Sequence, residues 1–248
     1  MPKVSLEAQG DIALLRLNNG VINAISPELV DDLGKALIRI KNEFKGMVLA
    51  GGDKFFCIGL DLPGLLQLGR AEMADFYVML NQAVLDLYTL SIPTASAIAG
   101  HATAGGAILA LSTDFRLVAA GRKFIGLNEV KLGVPVPALA DLILRQLVGD
   151  RRATEMVFSG EFLEPDQSLE ISLVDAVVAQ EDVEREAIAR IVALAAMPSR
   201  GLALAKKNRI EAVRSQYEKI RQSDADDFLN CWFDPAVQNL LKKAAERF

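Results

Sequence analysis

Apolar and polar residues alternate with two different periods along the chain, and the changes of period predict short strands followed by helices. Residues Lys3–Gln9 and Asp11–Asn18 cluster apolar side chains on both sides of Gly10, which predicts a β-hairpin. Ser26-Pro27 is a helix-start signal, because serine caps a helix and proline fits its first turn. Apolar residues follow at helical spacing at Leu29, Leu33, Leu37 and Ile40. These segments predict a first β-β-α unit.

Two glycine-containing corners follow predicted strands in the next part of the chain. The first, residues 57–61, ends the apolar segment Phe55–Ile58; the second, Gly100–Gly106, joins the predicted strand Ala95–Ala99 to a buried helix beginning at Ala107. Glycine lets a ligand approach the backbone, and the first N–H groups of a helix have no intrahelical partner, so they can point at an anion. The alternative interpretation is a tightly packed turn without a ligand.

The remaining pattern predicts further strands and then helices alone. The predicted elements are a strand at Met47–Ala50, a long helix at Ala71–Leu90, a strand pair at Arg116–Ala119 and Lys123–Ile125, a helix beginning at Arg151, a helical turn at Pro165–Glu170 and a strand at Leu173–Val178. Beyond Asp182 the pattern is helical, with breaks at Pro198 and Pro235. The architecture is therefore expected to change near residue 190.

Composition and charge narrow the possible partners and location. Of the 248 residues, 51% are hydrophobic and 24% are charged, and no apolar run reaches the roughly 20 residues of a membrane helix. A soluble protein with no membrane partner is expected. The net charge of −5 argues against a nucleic-acid partner. Cys57 and Cys231 form no metal-ligand cluster and the N-terminus has no signal-peptide pattern, so we expect a reducing cytoplasm and no metal.

Four segments together resemble one known family. In order and spacing, FFCIGLDL, IAGHATAGGAILALSTDFRL, FIGLNEVKLGV and SLVDAVV are similar to the enoyl-CoA hydratase/isomerase, or crotonase, superfamily. The resemblance implies an α/β fold: a spiral of β-β-α units in residues 1–192 that holds an acyl-CoA site, and an all-helical C-terminal region in residues 193–248. It also implies a homotrimer or a dimer of trimers. The implied substrate is an acyl-CoA thioester of fatty acid metabolism; CoA is part of the substrate, and no separate cofactor is expected.

The resemblance also implies which residues form the site. Matching the motifs position by position places an oxyanion hole at the backbone N–H groups of Leu60 and Gly105, and a CoA-binding backbone at Ala24, Ile58 and Leu62 together with those two. The basic start that the family usually has before the Asn-Ala loop is replaced here by residues 18–21, Asn-Asn-Gly-Val. A basic contact from that loop to the CoA phosphates is therefore not expected.

The catalytic positions favour an isomerase. Hydratases of the family carry two glutamates; this chain has Ile108 at the first position and Glu129 at the second. Isoleucine cannot hold or protonate water, whereas one carboxylate can move a proton from C2 to C4 of a 3-enoyl-CoA. The segment Gly-Leu-Asn-Glu also resembles that of Δ3,Δ2-enoyl-CoA isomerases. Because Glu129 follows an apolar run, we expect burial and a raised pKa.

Several alternatives remain open from the sequence. A hydratase could have moved its second acid, with Asp141 in a loop at Pro137–Asp141 as the candidate. The same enolate also serves thioester hydrolysis, decarboxylation and dehalogenation. A third alternative is a catalytically inert acyl-CoA-binding or scaffold protein on the same fold. For Glu129 itself, the alternative is a surface carboxylate that only caps or pairs.

Several other polar and aromatic residues are expected to have structural rather than catalytic roles. His101 is expected to pack or hydrogen-bond near the pocket, Asp61 to brace the first corner, and Asp114 to cap or pair at the end of its helix. Cys57 is expected to be a small buried residue rather than a nucleophile. Trp232 and Phe233 could add to a subunit contact or to the acyl pocket.

Overall fold

The fold consists of two β-sheets with helices packed around them. A computed structural model describes residues Met1–Glu246. The strands are β1 (Val4–Gln9), β2 (Ile12–Leu17), β3 (Gly46–Ala50), β4 (Phe55–Cys57), β5 (Thr94–Ile98), β6 (His101–Thr103), β7 (Phe115–Ala119), β8 (Ile125–Gly126) and β9 (Ala176–Val178). The α-helices are α1 (Pro27–Glu43), α2 (Leu62–Leu65), α3 (Arg70–Tyr88), α4 (Gly105–Leu111), α5 (Ala138–Ser159), α6 (Pro165–Glu170), α7 (Val183–Ala195), α8 (Ser199–Trp232) and α9 (Pro235–Ala245).

The large sheet has the strand order β1-β2-β3-β5-β7-β9. Its first pair is the predicted antiparallel hairpin, in which Val4 lies opposite Leu17, and every later pair is parallel. Strands β3 and β5 are buried along their whole length, as expected of parallel strands covered on both faces. Helix α7 packs on one face through Val183, Ala187 and Ile191, and the larger hydrophobic core lies on the other.

The small sheet contains the second strand of each β-β-α unit of the spiral after the first. Its order is β4-β6-β8, with all pairs parallel. Each strand pair after β2 is divided between the sheets: β3, β5 and β7 enter the large sheet, and β4, β6 and β8 enter the small one. The predicted pairing of residues 116–119 with 123–125 is therefore wrong. The segment Ala120–Phe124 between them carries the chain from one sheet to the other.

Helix α5 begins earlier than the sequence predicts. Its first turn includes Asp141, so the expected loop at Pro137–Asp141 is wrong. The N-cap residue, Pro137, forms no side-chain capping hydrogen bond. The N–H of Ala138 instead donates at 2.9 Å to the carboxylate of Asp224, which is distant in sequence. Gly149 interrupts the helix with φ of +79°, and the predicted helix from Arg151 is the part that follows this break.

The C-terminal part is helical, with the expected breaks before α8 and before α9. The predicted boundary at residue 192 falls inside α7, which packs on the large sheet, and the division into two regions stays a prediction. Over Met1–Glu246, no single helix is long and apolar enough to cross a membrane. Residues 180–195 and 199–232 meet that requirement only as a pair, and a bend of 109° separates them.

A buried ion pair attaches α8 to the large sheet. The Lys206 side chain is 7% exposed, and its Nζ donates to Asp114 Oδ2 at 2.7 Å and to the Ile92 carbonyl at 2.9 Å. Asp114 also accepts from the Thr94 N–H and hydroxyl at 2.8 and 2.9 Å. The expectation that Asp114 pairs at the end of its helix is confirmed.

We expect Lys206→Met to lower the free energy of unfolding by about 2 kcal/mol, because it removes one partner of a largely buried pair while keeping the apolar stem. Chemical denaturation measures the change. Lys207→Met is the matched control, since Lys207 is the next residue and is exposed. Equal losses in the two variants would contradict this account of the ion pair.

Candidate active site

The first glycine corner is attached to the chain that precedes α1. Ile25 donates its N–H to the Gly59 carbonyl at 2.8 Å, and the Asp61 N–H donates to the Ile25 carbonyl at 3.0 Å. These two bonds form a parallel bridge between Ile25 and Leu60 that uses the peptide groups on either side of Leu60. Within Met1–Glu246 the Leu60 N–H itself donates no hydrogen bond. It is therefore available to a ligand.

The second corner brings the start of α4 against the first. A β-carbon added to Gly106 would lie 2.0 Å from the Cys57 carbonyl oxygen, so only glycine allows this approach. A β-carbon on Gly59 would lie 3.2 Å from the Gly105 nitrogen. Gly105 is the first residue of α4, so its N–H has no intrahelical acceptor. Within Met1–Glu246 the Gly105 N–H donates no hydrogen bond to another residue either, so the two corners in contact each carry an N–H group without a partner there.

Both corners open into one cavity of about 340 Å³. Leu60, Gly105 and Glu129 all line it, as do Ile58 and Leu62. Ala24, the fifth expected binding residue, is buried and does not belong to the lining. Four of the five expected binding residues and all three expected catalytic residues therefore line the cavity. The roles of these residues stay predictions.

Glu129 lies at the start of a 3-10 helix, Glu129–Leu132, directly after the small sheet. Its residue surface is 9% exposed, and Oε2 has no hydrogen-bond partner within the described chain. Burial raises the pKa of the carboxyl to about 7, while the neighbouring backbone N–H groups of Asn128 and Glu129 offset part of this rise. A carboxyl with this pKa can both accept and return a proton near neutral pH. The expected burial and raised pKa are confirmed.

The lining provides no second acid. Among the described residues that line the cavity, Glu129 is the one carboxylate, and Ile108 presents an apolar side chain there. Asp141, the candidate for a relocated acid, lies outside the lining and pairs with Arg145 at 2.8 Å. The geometry therefore does not support the hydratase alternative that depends on Asp141.

The wall formed by α3 and α8 is aromatic. Tyr77, Phe228 and Trp232 line the cavity, with ring centroids 4.1 Å apart for the first pair and 5.7 Å for the second. The Tyr77 hydroxyl donates to Asp224 Oδ2 at 3.0 Å. Sequence reasoning missed Tyr77 and Asp224, because both lie in regular helical patterns that carry no local motif.

Of the two aromatic candidates at the end of α8, only Trp232 belongs to the cavity. Phe233 lies outside the lining, and the Arg70 guanidinium is 5.7 Å from its ring centroid. Helix α9 adds Leu241 and Ala244 to the lining. The C-terminal helices thus enclose the site of their own chain.

The other singled-out residues have structural contacts. His101 Nδ1 accepts the Phe124 N–H at 3.0 Å, and burial followed by the charges of Lys123, Arg122 and Lys54 lowers the pKa of His101. Asp61 caps α2, with Oδ1 at 3.4 Å from the Gly64 nitrogen. Burial raises the pKa of the Cys57 thiol to about 12, which leaves little thiolate at neutral pH. The structure confirms that His101 forms a hydrogen bond and that Cys57 is buried, while the Asp61 side chain caps the helix after the first corner; the expected nearness of His101 to the pocket stays a prediction.

Comparisons with known proteins agree with this arrangement. Residues 7–242 match the family model described as enoyl-CoA hydratase/isomerase. Human mitochondrial enoyl-CoA delta isomerase 1 is 29% identical over 98% of this chain and 82% of its own, and the mouse protein is 28% identical over 98% and 86%.

Solved structures show the same similarity. The crystal structure of human mitochondrial delta3-delta2-enoyl-CoA isomerase has a TM-score of 0.94 and 29% identity, covering 99% of this chain and 97% of the human one. An enoyl-CoA hydratase from Bacillus anthracis has a TM-score of 0.79 and 25% identity, covering 99% and 90%. The isomerase structure therefore has a higher TM-score with this chain than the Bacillus anthracis hydratase has.

The raised pKa of Glu129 predicts a pH-dependent cost to stability. Between about pH 4.5 and 7 the unfolded chain loses this proton while the folded chain keeps it, so folding becomes less favourable as pH rises, and above 7 the cost is constant. We expect the free energy of unfolding of Glu129→Gln, relative to that of wild type, to rise by up to about 3 kcal/mol when the pH is raised from 4.5 to 8. Urea denaturation at both pH values measures it. Glu170→Gln controls for loss of an exposed carboxylate; a Glu129→Gln difference that does not change with pH would contradict the prediction.

Proposed function

The chain belongs to the enoyl-CoA hydratase/isomerase family, and we propose that it acts as a Δ3,Δ2-enoyl-CoA isomerase on acyl-CoA thioesters. The observation that carries this function is that one carboxylate lines the cavity among the residues Met1–Glu246. Glu129 lies there with a pKa of about 7, and Ile108 also lines the cavity, at the position where the family resemblance implies the other glutamate of the hydratases. The named isomerases among the relatives support the same conclusion.

The reaction moves one proton between two carbons of the same substrate. The Glu129 carboxylate takes a proton from C2 of a 3-enoyl-CoA, and the electron pair delocalises over C2–C4 and the thioester oxygen as a dienolate. The carboxyl then delivers the proton to C4, which leaves the double bond between C2 and C3. The base returns to its ionised form, so the cycle needs no other acid, and CoA takes part only as a portion of the substrate.

The two unpaired N–H groups supply the stabilisation that this step needs. Negative charge develops on the thioester oxygen, and donors at Leu60 and Gly105 would bind it in a cavity whose lining is mostly apolar. One preorganised donor of this kind is typically worth about 3 kcal/mol of transition-state stabilisation. Because both donors are backbone groups, the leucine side chain at position 60 does not impair the first of them.

The assembly and location are also part of the proposal. We propose a homotrimer or a dimer of trimers, supported by the family resemblance and by exposed apolar side chains at Val192, Met197 and Leu204. Sedimentation measures the oligomeric state. The two cysteines are free, which fits the proposed reducing cytoplasm.

Glu129→Gln should lower kcat for 3-hexenoyl-CoA isomerisation by about 10²–10⁴-fold, because the amide cannot accept the C2 proton. Spectrophotometry of the conjugated 2-enoyl product follows the reaction. Glu161→Gln is the control for a nearby but exposed glutamate, paired with Lys131, and should keep full activity. A fully active Glu129→Gln enzyme would rule out the assignment.

Asp141→Asn and crotonyl-CoA distinguish the hydratase alternative in the same experiment. Hydration of crotonyl-CoA that is lost in Asp141→Asn would favour a relocated acid over the isomerase. We expect no hydration above background and unchanged isomerisation.

The pKa of Glu129 also sets the pH profile of the reaction. Since the ionised carboxylate is the base, kcat/KM should be constant above about pH 7 and fall about tenfold per pH unit below it. A profile measured between pH 5 and 9, with enzyme stability checked at each end, tests this. A midpoint near the ordinary pKa of glutamate would contradict the buried-base description.

A further inference from the structure

Ala104, directly before Gly105, has a backbone conformation that residues with a side chain rarely adopt. Its φ is +50° and its ψ is −126°, values that favour glycine. Only Asn23 and Ser172 share a positive φ among the other non-glycine residues of Met1–Glu246. Strained residues of this kind persist where the surrounding structure fixes them, and they concentrate at functional sites.

The neighbours of Ala104 fix both of its peptide groups. The Ala104 N–H donates to the Gly126 carbonyl of the small sheet at 2.9 Å, and the Ala104 carbonyl accepts the Ile108 N–H at 3.0 Å, which begins α4. The residue is thus anchored to β8 on one side and to α4 on the other. Between these anchors, the ψ angle of Ala104 sets the direction of the Gly105 N–H.

The methyl group of Ala104 contacts the first corner. A β-carbon built on Gly59 would lie 2.8 Å from the Ala104 β-carbon, so the methyl packs directly against the hydrogen-only face of Gly59. Gly59 has a φ of +101°, which also favours glycine. The methyl group therefore forms a packing contact between two corners: the one that carries the Leu60 N–H and the one that carries the Gly105 N–H.

We propose that Ala104 is a positioning residue whose methyl group, wedged against Gly59, holds the Gly105 N–H at the angle needed to bind the thioester oxygen together with the Leu60 N–H. This role rests on the proposed function. Ala104 lines the same cavity, and in this proposal its methyl group acts through the backbone of Gly105. Glycine at position 104 would accept the same φ and ψ and keep both hydrogen bonds, but it would lose the methyl contact with Gly59 and allow the Ala104–Gly105 peptide a wider range of orientations.

Ala104→Gly is the central test. The variant is expected to fold, because glycine adopts this conformation without strain. We expect kcat for 3-hexenoyl-CoA isomerisation to fall about tenfold or more, less than the loss typical of deleting a donor outright, with KM changed less than about twofold. Loss concentrated in kcat indicates a defect in the transition state rather than in substrate binding.

Two further variants separate positioning from general packing. Ala107→Gly deletes a methyl group from a buried position in α4, the helix that follows Ala104, outside the cavity lining; it should lower the melting temperature while kcat is retained. Ala104→Ser keeps the β-carbon and should keep most of kcat. Equal kcat losses in Ala104→Gly and Ala107→Gly would overturn the proposal.

A spectroscopic readout makes the test independent of turnover. In wild-type protein that binds a ¹³C-labelled 2-enoyl-CoA, donors at Leu60 and Gly105 should polarise the thioester carbonyl and lower its infrared stretching frequency. Ala104→Gly should bind the ligand with a smaller shift. Identical shifts in the two proteins, or no shift in wild type, would overturn the positioning role. An inactive wild-type enzyme with a shift that depends on Ala104 would refute the isomerase and keep this inference.

Discussion

The close contact between two glycine corners is the constraint on which the site depends. Gly106 approaches the Cys57 carbonyl so closely that a β-carbon would lie 2.0 Å away, and Gly59 approaches the Gly105 nitrogen. The first corner follows strand β4, and the last residues of the second corner, Ala104–Gly106, follow β6, so the parallel pairing of β4 with β6 brings them to the same end. One side chain larger than hydrogen at Gly106 would separate the corners and the two donors with them. The pairing of β4 with β6 therefore keeps the two corners in contact.

A second constraint is electrostatic. Glu129 is buried with one carboxyl oxygen unpartnered, and such a group lowers stability above its ordinary pKa because its charge has lost water without gaining a partner. The residues that bury it come in part from distant elements of the chain, since α3, the end of α8 and α9 all contribute to the cavity lining. The buried ion pair between Lys206 and Asp114 differs from Glu129 in that each charge has a partner of opposite sign. This pair holds α8 against the large sheet and has no part in the proposed reaction.

Local patterns in the sequence predicted the hairpin, the first helix and both glycine corners, because each depends on neighbouring residues. The family resemblance added Leu60, Gly105 and Glu129, which the structure places around one cavity. What could not be predicted depends on distant partners. The start of α5 is capped by Asp224, more than 80 residues later in the chain, and strand β6 exists within the second corner only because β4 and β8 lie on either side of it.

The chemistry follows from what the cavity lacks as much as from what it holds. To add across a double bond, a water molecule must be held while one group removes its proton and another delivers a proton to the substrate; the apolar side chain of Ile108 supplies no hydrogen bond for that purpose. A proton shuttle has the opposite requirement, since the carboxyl must keep its proton between C2 and C4 rather than lose it to water. In the proposed reaction burial serves this need, because the desolvation that raises the pKa of Glu129 also disfavours loss of the transferred proton to water. A single buried base is therefore sufficient for isomerisation and insufficient for hydration.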